Sequence, residues 1–84
     1  MPSKTLGNGA ISTTIIRTAT SVTATGMGAR LDLFRVNPNG TSVSLGNTLI
    51  ANNNQVLPAI NQAGQMYRIE FKNYGQVPQV VINY

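Results

Sequence analysis

Two carboxylates, Asp32 and Glu70, and six cations, Lys4, Arg17, Arg30, Arg35, Arg68 and Lys72, are the charged side chains of this sequence, which has no His, Cys or Trp. Those residue types restrict the chemistry on offer. A structural metal cage takes about four ligands, drawn mostly from Cys, His and carboxylates. A Ser or Cys nucleophile needs an adjacent base, most often His. Disulfides need Cys. The sequence therefore points away from catalysis, and it implies neither a bound metal nor a cofactor. Binding is what remains.

Within Met66-Tyr67-Arg68-Ile69-Glu70-Phe71-Lys72-Asn73, Arg68, Glu70 and Lys72 alternate with Tyr67, Ile69 and Phe71. Strand periodicity puts the first three on one face and the last three on the other. The charged stripe reads either as a docking surface or as a solvated face whose charge discourages aggregation. Tyr67 and Phe71 could stack nucleobases, as aromatics on single-strand-binding barrels do. Ile69 lies between them on the same face, which favours a core role for all three. Gly7-Asn8-Gly9 and Gly26-Met27-Gly28 lack the third Gly, the Lys and the following helix of a phosphate loop, so they read as turns or bulges. Asn39-Gly40-Thr41 matches a glycosylation acceptor but falls in a turn.

The net charge of +4 suggests nucleic acid, yet the cations are scattered and interleaved with both carboxylates. Affinity for nucleic acid comes from phosphates neutralised together, so nucleic acid is not an expected partner, and any contact should be non-specific and salt-sensitive. No apolar run reaches the length of a membrane span. Met1-Pro2-Ser3-Lys4 and the residues after it lack the apolar core of a signal peptide. This start reads as that of a small, unprocessed gene product.

The elements that must position these residues are strands. Ten Asn, five Gln, five Ser and nine Thr favour strands and turns over helices, and no apolar repeat has helical spacing. An all-β fold follows, a small antiparallel sandwich or barrel of about seven short strands. Residues 1–9 read as a flexible arm and 10–84 as a single β-domain. Strands are expected at 10–18, 29–36, 41–45, 48–51, 66–73 and 77–84, and residues 20–25 either continue the first strand or form a second one. Residues 55–60 can form only an edge or irregular strand, because Pro58 has no N–H to donate. The adjacent Leu33 and Phe34 suggest a bulge in their own strand. Asn37-Pro38-Asn39-Gly40 is the clearest turn: Pro38 presets φ, Asn39 follows, and Gly40 accepts the positive φ of a hairpin bulge. Tyr67, Ile69, Phe71, Val80 and Ile82 are the expected core, with Pro78 and Tyr84 on the same face as the last two.

An 84-residue domain has a small core, and without disulfides or metal the natural supplement is association. The arm, through Lys4 and Leu6, together with Arg68, Glu70 and Lys72, forms the expected interface of a homo-oligomer, a trimer or dimer. The pattern Leu31-Asp32-Leu33-Phe34-Arg35-Val36-Asn37-Pro38-Asn39-Gly40-Thr41, followed by Tyr67-Arg68-Ile69-Glu70-Phe71 and Val80-Val81-Ile82, looks like a small bacterial or viral β-sandwich. In size, composition and strand pattern the chain resembles the small cement, or decoration, proteins of tailed-phage capsids, across most of its length. That resemblance implies a non-enzymatic virion protein assembled in the host cytoplasm. It would bind a major capsid protein or another part of the virion and stabilise the shell. The alternative from the residues alone is a small β-module that binds protein, carbohydrate or, non-specifically, nucleic acid.

Overall fold

β-Branched residues dictate extended backbone along most of this chain. The computed structural model describes residues 1–7, 11–18, 21–73 and 77–84, and contains no helix among them. Eight strands follow in chain order: β1 (Ser3–Gly7), β2 (Ile11–Arg17), β3 (Thr23–Thr25), β4 (Arg30–Val36), β5 (Ser42–Leu49), β6 (Gln55–Val56), β7 (Met66–Lys72) and β8 (Gln79–Asn83). They pair into two antiparallel four-stranded sheets, ordered β1-β8-β3-β6 and β2-β7-β4-β5. The architecture is a small all-β sandwich.

Period-two alternation builds its interior. Tyr67, Ile69 and Phe71 of β7 and Leu31 and Leu33 of β4 face Val80 and Ile82 of β8, Ala24 of β3 and Leu6 of β1 in one buried cluster. Val22, Ile50, Leu57 and Ile60 close its ends. The Tyr67 hydroxyl accepts a hydrogen bond from the Gln62 backbone N–H at 3.2 Å, which satisfies its polar tip. On the terminal strand the shared face is only partly internal: Pro78 is exposed, while Tyr84 packs half-buried against the cluster.

The N-terminal residues depart most from expectation. Instead of a flexible arm, Ser3–Gly7 forms an edge strand in full antiparallel register with β8, with Leu6 opposite Val80. Leu6 is buried in the core, and a side chain there is lost to any interface. Lys4 stays exposed on this edge strand, pairing with Ile82, far from its expected role on a mobile arm. One inward Leu in a short polar segment is enough to dock it once β8 offers an open edge. The remaining arm residues, Asn8 and Gly9, lie outside the described residues, as do Ala10, Ala19, Thr20 and residues 74–76.

The second difference is in the middle of the chain. The expected strands at 41–45 and 48–51 are one strand, β5, which runs through Gly46. Asp32 pairs with Asn47 and Phe34 with Ser44, so the single residue Leu33 faces both Leu45 and Gly46. The bulge therefore lies at the expected level, but its extra residue is on β5. Gly46, at φ 88°, supplies the left-handed backbone that such a bulge requires. The hairpin before it closes as expected. Gly40 N–H donates to the Asn37 carbonyl at 2.9 Å, Asn37 N–H donates to the Thr41 carbonyl at 2.7 Å, and Gly40 has φ 89°. The 55–60 segment pairs only at its first two residues and then turns, with Leu57 N–H donating to the Val22 carbonyl.

Candidate functional site

The outward face of sheet β2-β7-β4-β5 is a grid fixed by strand register. Its rows, read from β2 to β5, are Ile11-Lys72-Arg30-Leu49, Thr13-Glu70-Asp32-Asn47, Ile15-Arg68-Phe34-Ser44 and Arg17-Met66-Val36-Ser42. Arg68, Glu70 and Lys72, expected together from the β7 alternation, are indeed together. The register adds Arg30, Asp32 and Phe34 from β4. Both carboxylates sit side by side in one row, an arrangement that repels in isolation. Cations in the flanking rows offset it.

Lys72 Nζ lies 3.1 Å from Asp32 Oδ2, and Arg30 Nη2 lies 3.6 Å from Asp32 Oδ1. Arg68 Nε lies 3.4 Å from Glu70 Oε1, close enough for an ion pair but without hydrogen-bond alignment. Its Nη1 instead donates to Ser42 Oγ at 2.9 Å, and its guanidinium carbon stands 4.2 Å over the Phe34 ring. Asp32, its side chain 12% exposed, is the most enclosed of the five charges. It is a near-buried anion held by two cations, which makes it the anchor of the network. The stripe is thus a half-buried, interlocked array, unlike the solvated row that alternation alone suggests.

Apolar side chains border the array. Ile11, Ile15 and Leu49 are 59%, 55% and 63% exposed, and they flank the charges on the two edge strands. Arg17, below Ile15, donates from Nη1 to the Gly64 carbonyl, which clamps the end of β2 to the loop before β7. A cleft of about 230 Å³ opens at the top of the grid, lined by Arg30, Leu49, Phe71, Lys72, Asn73 and Val77. Both cations at its mouth are already committed to Asp32. Both oxygens of Asp32 are engaged by cations, and no group of three metal-capable side chains occurs among the described residues.

Tyr67 and Phe71 point inward, 2% and 1% exposed, so neither offers a stacking platform. Gly26-Met27-Gly28 is a tight turn, with Ala29 N–H donating to the Gly26 carbonyl at 3.0 Å and Gly28 N–H to the Ile50 carbonyl at 2.7 Å. The interface residues expected from sequence do not form one surface. Lys4 and Leu6 lie in the opposite sheet from Arg68, Glu70 and Lys72. Sequence reasoning missed Asp32, Arg30 and Phe34. Leu31 and Leu33 facing inward already place Asp32 outward, but only the β4–β7 register brings it to Glu70.

No protein-family model matches this chain, and no curated protein or solved structure matches it either.

Proposed function

We propose that this protein is a non-enzymatic structural module that binds a larger protein assembly, in the manner of a capsid cement protein, and that it docks through the outward face of sheet β2-β7-β4-β5. The observation that carries this reading is the fixed array on that face: Arg68 stacked on Phe34 and pinned to Ser42, and Asp32 held by Arg30 and Lys72. Arg and aromatic side chains dominate the energetics of protein interfaces when their geometry is preset, because little side-chain entropy is then lost on docking. The exposed Ile11, Ile15 and Leu49 add apolar area beside it. A nucleic-acid reading has less support. Three of the six cations are grouped with both carboxylates rather than gathered into a cationic track.

The reading is tested in two steps. The first asks whether a major capsid protein is encoded beside this gene. The second is co-sedimentation of the purified protein with shells of that capsid protein. Retention that Arg68→Glu abolishes and Thr5→Val leaves intact supports the reading. A protein that fails to sediment with the shells, or that loses retention equally in both variants, rejects it.

A further inference from the structure

Four strands end the two sheets, and three of them carry a device that blocks pairing with another chain. β6 is two residues long and runs into Pro58. β5 is interrupted by the bulge opposite Leu33. β1 is short and carries Lys4 within it. β2 has none of these devices. Its seven residues, Ile-Ser-Thr-Thr-Ile-Ile-Arg, contain no Pro, Gly or Lys, and its one charge, Arg17, stands at the end. Ile11 and Ile15 are large apolar side chains exposed on an edge that no other described strand pairs with.

We infer that β2 pairs antiparallel with β2 of a second copy about a two-fold axis at Thr13. This inference deepens the structural reading above and rests on it for the expectation that copies associate. The choice of occupant and of register comes from the spacing. Ile11 and Ile15 are equidistant from Thr13 on the same face, so a two-fold there sets Ile11 against Ile15 of the second copy, twice. Four exposed isoleucines then cover one another as cross-strand pairs. A two-fold at Thr14 would instead set Ile11 opposite Arg17 and Ile15 opposite Thr13, leaving that apolar surface in water. Charge permits the first register. No charged residue lies between positions 11 and 15 of either strand, and the two Glu70 side chains are separated by three strand spacings, roughly 14 Å. That exceeds the Debye length of about 8 Å at physiological salt.

The contact closes. Pairing consumes the β2 edge of both copies, and the joined sheet ends in two bulged β5 strands, so the product is a dimer and not a fibre. Five residues per side is far below the roughly 20–30 of a standard interface. The dimer is therefore weak in dilute solution and gains from avidity wherever copies are held side by side on a repeating surface.

The native chain has no Cys, so a single introduced one gives a clean report. Directly opposed residues of antiparallel strands have Cα atoms roughly 4.5–5.5 Å apart, within the span of a disulfide. Under mild oxidation Thr13→Cys should form covalent dimer several-fold faster than Thr5→Cys on the opposite face. Ile11→Cys should couple to Ile15→Cys but not to itself, since two copies of position 11 stand roughly 14 Å apart in this register. Ile15→Lys added to Thr13→Cys should suppress the dimer while thermal unfolding shows the fold intact. Thr13→Cys dimer no faster than the Thr5→Cys control overturns the inference. So does self-coupling of Ile11→Cys, or preferential coupling of Thr13→Cys to an unrelated cysteine-bearing strand peptide. These measurements use the free protein without shells, so they can fail while shell docking holds, and the converse.

Discussion

The two outward faces of this sandwich come from strands of similar composition but differ in what they offer. On sheet β1-β8-β3-β6 the outward positions are Ser3, Thr5, Thr23, Thr25, Val56, Gln79, Val81 and Asn83, none of them charged. Their polar groups are partly satisfied by one another and by the turn before β6: Asn83 Nδ2 donates to Thr23 Oγ1 at 3.4 Å, and Thr25 Oγ1 donates to Asn54 Oδ1 at 2.8 Å. The outward face of sheet β2-β7-β4-β5 carries every charged side chain except Lys4 and Arg35, together with the exposed Ile11, Ile15 and Leu49. A neutral hydroxyl-rich face accepts water everywhere alike. A face with alternating rows of charge has one orientation in which a partner fits, and that is where specificity can reside. On the proposed reading, the charged face is the recognition surface and the neutral face a covering.

The comparison can be broken first at what the two sheets share. Ile69 and Ile82 are fully buried, one from each sheet, in a common core. Ile69→Ala and Ile82→Ala should each cost about 2–5 kcal/mol in denaturant unfolding. A loss near zero for either would mean that its sheet is not packed against the other.

Next is the anchor of the charged face. Asp32→Asn removes the anion that holds Arg30 and Lys72 and should cost about 1–2 kcal/mol, because the pair is only partly enclosed. Raising the salt concentration should narrow the gap between wild type and variant. A variant as stable as wild type at low salt would show the network to be incidental. Smaller still is the Arg68–Phe34 stack. A double-mutant cycle of Arg68→Gln and Phe34→Leu should give a coupling of about 0.5–1 kcal/mol, and no coupling would mean that the ring does not position the guanidinium. Smallest of all, Thr5→Val on the covering face should change stability by no more than about 0.5 kcal/mol. A change as large as that of Asp32→Asn would erase the distinction between the faces.

How far the sequence reveals this division depends on whether a feature is local. Alternation in Tyr67-Arg68-Ile69-Glu70-Phe71-Lys72 is local, and the core and charged sides of β7 follow from it directly. The Asn37–Gly40 turn is equally local, since Pro38 and Gly40 each restrict backbone in a known way. Leu6 is different. Its segment has a single inward apolar residue, too weak a pattern to register as a strand, and it becomes one only because β8 supplies the hydrogen-bond partners. Gly46 hid the continuity of β5 for a related reason. A glycine between two strand-like runs reads as a break, and only the count against β4 shows it to be a bulge. Asp32 beside Glu70 is the least legible of all, because the two are far apart in sequence and meet only through strand order.

Amide hydrogen exchange compared between dilute and concentrated protein tests most directly which edge strand carries self-association, since it reports on each strand without altering any. The account predicts that concentration adds protection at Ile11–Arg17 and leaves Ser3–Gly7, Ser42–Leu49 and Gln55–Val56 unchanged. Added protection on β1 or β6 with none on β2 would place self-association on the other sheet and contradict it.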